Sequence, residues 1–118
     1  MDVRIKRIQD PSEPEDGLRV LVDRLWPRGV RKVGAPWDLW LKEVAPSTAL
    51  RQWFGHAPER WDEFRRRYRA ELAGSAALAR LADLTQRHER VTLLYSARDI
   101  EHNQAQLLCE LLRQIGAD

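Results

Sequence analysis

Arg19-Val20-Leu21-Val22-Asp23-Arg24-Leu25 is the stretch on which the fold turns. Val20-Leu21-Val22 is apolar at three successive positions, so both faces of an extended chain are apolar there. A strand of that kind is covered on both sides, as in a parallel sheet. Val91 to Tyr95 is the second such run. The long, mainly helical segment between Leu25 and Val91 suits parallel pairing, because parallel strands cannot be joined by a tight turn. Val3 to Ile8 instead alternates apolar and basic residues and predicts a half-exposed edge strand.

Asp10 to Gly17 and Pro27 to Pro36 are rich in Pro, Gly and charge and read as loops. Trp37, Trp40, Leu41 and Val44 fall at helical spacing behind Pro36, predicting a helix there. Ser47 is placed to cap a short helix that carries Leu50, Trp53 and Phe54 and closes at Gly55. Pro58 opens a third helix with Trp61, Phe64, Tyr68 and Leu72 on one face, and Ser75 caps a fourth with Leu78, Leu81 and Leu84 inward. The last helix is predicted from about Ile100 to Gln114, with Leu107, Leu108, Leu111, Leu112 and Ile115 as its buried stripe. The expected architecture is a single α/β domain over 1–118. It is small, Rossmann-like and three-layered, with a short, mostly parallel sheet and a helical cluster between the central strands.

The chain has 118 residues, 43% of them hydrophobic and 32% charged, the composition of an ordinary globular protein. All five tryptophans lie between positions 26 and 61, which predicts a bulky aromatic sub-core. Cys109 is the single cysteine; no intrachain disulfide can form, and it reads as helix packing. Met1 to Gln9 lacks the apolar run of a signal peptide, and no stretch approaches the ~18 apolar residues of a membrane span, so no membrane partner and a cytoplasmic location are expected. The net charge is only +2. Arg65-Arg66-Arg67-Tyr68-Arg69 is preceded by Asp62 and Glu63, placed to pair with Arg66 and Arg67 at i,i+4, so this helix face reads as self-paired rather than as a nucleic-acid patch.

Ligands of open parallel sheets bind beyond the carboxyl ends of the strands. Two polar segments are expected to meet there: Asp23-Arg24-Leu25-Trp26-Pro27-Arg28-Gly29 and Tyr95-Ser96-Ala97-Arg98-Asp99-Ile100-Glu101-His102-Asn103. Arg24, Arg28 and Arg98 offer planar, permanently charged forks for carboxylate or phosphate. His102, as an imidazole, is the natural proton carrier, with Asp99 as an alternative base and Ser96 or water as nucleophile. Asp23, Trp26, Tyr95 and Asn103 complete the candidate lining. Gln104 aligns with Leu108, Leu111 and Ile115 and either looks into the pocket or lies in a wet first turn. Each residue has a plainer role beside it: Asp99 as N-cap of the last helix, Asp23 as partner of a nearby Arg, Ser96 as a small turn residue, His102 as a surface residue, Trp26 as core or pocket wall. No dinucleotide or Walker fingerprint is present, and the three histidines lack metal-ligand spacing, so no cofactor and no metal are expected.

The same segments carry a resemblance. Gly17-Leu18-Arg19-Val20-Leu21-Val22-Asp23-Arg24-Leu25-Trp26-Pro27-Arg28-Gly29 resembles the signature of the YeaO-like proteins, a branch of domain-of-unknown-function class four hundred and eighty-eight. So do Trp37 to Ser47, Trp53-Phe54 with His56, and Leu93 to Asp99 with Glu101-His102-Asn103. The resemblance implies a compact α/β fold and an intracellular bacterial-type protein, without a substrate. Other branches tend to carry cysteines at the positions resembling Tyr95 and near Asn103; this chain has neither, so thiol chemistry is not carried over.

The leading expectation is a small-molecule enzyme or ligand-binding domain with an anion-accepting polar pocket, its ligand phosphorylated, a nucleotide or glycosidic. The alternatives are a nucleic-acid or regulatory module using the Arg65–Arg69 helix, and a protein-interaction domain built on exposed tryptophans. No pattern specifies an oligomeric state.

Overall fold

The computed structural model describes residues 2–117. In chain order its elements are β1 (Asp2–Arg7), β2 (Leu18–Leu21), β3 (Leu39–Trp40), α1 (Thr48–Phe54), α2 (Trp61–Leu72), α3 (Ala76–Arg87), β4 (Arg90–Tyr95) and α4 (Gln104–Ala117). The four strands form one sheet in the order β1-β4-β2-β3, and every pairing is parallel. The molecule is thus an α/β domain of the expected class, with the edge strand at Asp2–Arg7 and the two apolar strands adjacent at the centre.

The alternation of side chains along the strands sorts them into two cores. Val3, Val20, Val22, Val91, Leu93 and Tyr95 pack with residues of all four helices. Leu21 and Leu94 point the other way, toward Ile8, Val30, Trp37 and Trp40. One cover of the sheet is therefore helical, and the other is a coil between β2 and β3 stiffened by tryptophan. The aromatic sub-core is split accordingly. Trp26 meets Trp37 and Trp40 edge-on at 4.8 and 5.5 Å on the coil side, while Phe54, Trp61 and Phe64 stack on the helical side.

The connection from β1 to β2 crosses β4 on the coil side and is held by charge. Asp16 is buried and pairs with Lys6 at 3.1 Å and with Arg19, while its carbonyl accepts from the Thr92 hydroxyl at 2.6 Å. Burial pushes the Asp16 carboxyl up, but the Glu13 N–H and the two cations outweigh it and hold it below the usual carboxylate range. At the end of this crossing Gly17 has φ +66°, and a Cβ there would run into the Arg90 carbonyl, so only glycine fits.

Ser47 and Ser75 cap α1 and α3 by accepting from the N–H of Leu50 and Leu78, and Gly55 ends α1 in the left-handed conformation. Three sequence readings need correction. No α-helix forms over 37–44. Leu39 and Trp40 pair with Val20 and Leu21 instead, and a 3-10 turn follows at Lys42–Val44. The free edge of β2 supplies hydrogen-bonding groups that a helix would leave unpaired. Asp38 bonds Arg19 through its N–H and its carboxylate, and the Leu41 N–H donates to the Leu21 carbonyl. The last helix starts at Gln104 rather than Ile100, and Ile115 is 41% exposed, outside the buried stripe. Arg66 pairs with Glu63 at i,i+3, where Asp62 was the expected partner.

Candidate functional site

A cleft of about 680 Å³ opens beyond the carboxyl ends of β1, β2 and β4. Its size falls in the range of small-molecule sites. Both predicted segments reach it: Asp23, Arg24, Trp26, Arg28, Ser96, Arg98, Asp99, His102, Asn103 and Gln104 all line it. Tyr95 does not. It is buried in the helical core, because odd positions of β4 face that layer.

Asp23 follows the end of β2 at the back of the cleft, 9% exposed. One carboxylate oxygen accepts from the Ser96 N–H at 3.1 Å and the Ser96 hydroxyl at 2.5 Å, and the other from the Gln104 amide at 2.6 Å. Gln104 thus looks into the cleft, and Asp23 ties the ends of two strands to the first turn of α4. Burial raises the Asp23 carboxyl above the ordinary value of 3.8 despite the donors from Ser96 and Gln104.

Asp99 does not cap α4. Its carboxylate accepts from the N–H groups of Glu101 and His102 and holds the His102 ring through Nδ1 at 2.9 Å. The cap is Asn103, 2% exposed, whose side-chain oxygen accepts from Gln106 and whose amide donates to the Asp99 carbonyl. With Nδ1 turned toward a carboxylate, His102 keeps Nε2 as its second contact atom. Its ring is steadied by Trp61, edge-on at 5.4 Å.

The arginines divide sharply. Arg24 is committed to the protein: its Nε and Nη2 donate to the carbonyls of Pro46 and Ala45, which fixes one wall of the cleft. Two of its three guanidinium nitrogens thus serve as a wall clamp. Arg65 and Arg69 are bound to Glu110 on α4, and Arg66 and Arg67 to Glu63. Those two arginines pull Glu63 down to about 2. Four other lining arginines, Arg7, Arg28, Arg51 and Arg98, make no ion pair or side-chain hydrogen bond among the described residues. The Nε of Arg7 is buried without a partner.

Sequence reasoning missed Arg7, Arg51, Phe54, His56 and Phe64 as lining residues. Arg7 ends β1, so the strand-end rule applied to the edge strand would have found it. His56 is placed by backbone geometry: it follows the αL cap Gly55 and itself has φ +57°, a conformation uncommon for a side-chain-bearing residue. Nothing in the sequence shows that α1 turns Arg51 and Phe54 toward the cleft.

The family model described as "Inactive DUF488-N3 subclade" matches residues 2–117. The Escherichia coli K12 protein printed as Uncharacterized protein YeaO is 44% identical over 116 residues, 98% of this chain and all of that protein. The chain belongs to the YeaO-like DUF488 family. Within that family, uncharacterized proteins of Mycobacterium tuberculosis H37Rv and Mycobacterium bovis are each 48% identical over 110 residues, covering 93% of this chain and 92% of theirs. No solved structure matches this YeaO-like chain.

Proposed function

We propose that this YeaO-like protein binds a small anionic ligand in the strand-end cleft. The observation that carries the reading is the unpaired set of arginines at that cleft, in a molecule whose α2 arginines are all paired with carboxylates. The lining carries five arginines against two aspartates, and Asp23 and Asp99 are already occupied by three donors each. Guanidinium groups favour carboxylate and phosphate because their planar fork meets two oxygens at once.

Binding without turnover is the form of the reading best supported. The Ser96 hydroxyl donates to a buried carboxylate that fixes the local fold, and the family description includes the word "Inactive". The nucleic-acid reading has less support, because each of Arg65, Arg66, Arg67 and Arg69 is engaged by Glu63 or Glu110. No helix among the described residues is long and apolar enough to cross a membrane. A cytoplasmic location and access to phosphorylated metabolites belong to the proposal.

The test is a phosphate titration followed by thermal unfolding. A ligand at ~100 times its dissociation constant adds roughly 2.7 kcal/mol, an easily read shift. Arg98→Ala and Arg7→Ala should each weaken binding about tenfold, the scale of one charge-assisted contact. Arg80→Ala, on the exposed side of α3 away from the cleft, should leave it unchanged. No phosphate-dependent shift, or an equal loss in Arg80→Ala, would reject the proposal.

A further inference from the structure

We infer that the ligand of this cleft is an aryl or heteroaryl phosphomonoester, a flat aromatic body carrying one dianionic phosphate. The inference rests on the anion-binding reading and goes beyond it in naming the body and the charge.

The cleft is much larger than a bare oxyanion needs. At about 30 Å³ per water, a cleft of about 680 Å³ has room for roughly twenty waters, and inorganic phosphate displaces only a few of them. The remaining space is walled by flat apolar groups. Leu25 and Trp26 give it the most accessible apolar surface, and Phe54 and Phe64, stacked at 4.4 Å and largely buried, close its helical side. Trp26 stands on the coil side and cannot turn away. Its indole N–H donates to the Val30 carbonyl at 2.7 Å, and Trp37 and Trp40 press on it edge-on. A rigid indole at a cleft wall favours another planar π-system, which gains offset or edge contacts that an aliphatic body of equal size does not.

Charge selects the head group. Arg7, Arg28, Arg51 and Arg98 are unpaired among the described residues, and neither lining carboxylate is free to neutralise them. A phosphomonoester, near −2 at neutral pH, satisfies such a set better than a single carboxylate. Asp23, Ser96 and Gln104 form the polar back wall, while Arg28, Arg51 and Arg98 are exposed, so a head group held by those three lies toward solvent and its body beside Trp26.

The experiment is calorimetric titration of the full chain with inorganic phosphate, glycerol phosphate, phenyl phosphate and benzoate. Phenyl phosphate should bind at least about tenfold tighter than the first two, from aromatic contact, and tighter than benzoate by a similar factor from the second charge. Trp26→Leu should reduce the preference for phenyl phosphate over inorganic phosphate by several-fold. If that variant fails to fold, the wild-type series still decides. Glycerol phosphate or inorganic phosphate equal to phenyl phosphate would overturn the aromatic body and leave the anion reading standing. Benzoate equal to phenyl phosphate would overturn the phosphate head. Silence from all four would overturn both this inference and the reading beneath it.

Discussion

Asp23 shows how one side chain is claimed by two demands. It holds Ser96 and Gln104 against each other across the back of the cleft, and it does so from a buried position that disfavours its own charge. Asp23→Ala strands two N–H groups and a hydroxyl and should cost about 2–4 kcal/mol in urea denaturation. Asp23→Asn is milder, because Gln104 can rotate its amide and offer oxygen to the new NH2. The sign of the pH dependence follows from burial. The folded carboxyl binds its proton more tightly than the unfolded one, so its ionisation destabilises the fold as pH rises from about 3.8 through the raised folded value. The stability of Asp23→Asn relative to wild type should therefore increase over that interval and level off above it. A gap that narrows with rising pH would contradict the assignment. Asp23 was legible as a strand-end polar residue; its three partners were not, since Gln104 lies 81 positions away in sequence.

The start of α4 illustrates the same limit at the scale of an element. Asp99 and Asn103 are both good N-cap residues, and spacing alone does not choose between them. The choice is made by the turn after β4, in which Asp99 binds the N–H groups two and three residues on and leaves Asn103 to begin the helix. Asn103→Ala should cost about 1–2 kcal/mol, from a lost cap in a buried setting. Asp99→Ala should cost less in stability but release the His102 ring, seen as a change in its imidazole resonances. The reverse order of stabilities would return the cap to Asp99. The segment 37–44 failed for a different reason: its tryptophans and leucine fit a helical face equally well, and only the unpaired edge of β2 made the extended form better.

Across the whole molecule, charge is the most informative distribution. Arg65 and Arg69 join α2 to α4 through Glu110, so they act as a brace between these helices. A double-mutant cycle on Arg65→Ala and Glu110→Ala should give a coupling of about 0.5–1 kcal/mol, since both side chains are partly exposed, and it should shrink at high salt. Phosphate binding should be untouched by either change. Loss of phosphate binding in Arg65→Ala would move the anion site from the strand ends to α2.

The sequence by itself determined the α/β class, the parallel centre, the edge strand, the caps at Ser47 and Ser75, and the pair of segments that meet at the strand ends. These rest on local chemistry: apolar runs, alternation and capping are written in neighbouring residues. Only the tertiary structure decided that Leu39–Trp40 is a strand, that Arg24 clamps a wall, and that Arg7, Arg51 and His56 share the cleft with Arg98. Those outcomes depend on which hydrogen-bonding edge or carboxylate comes within reach once distant segments pack. Periodicity carries no record of such partners.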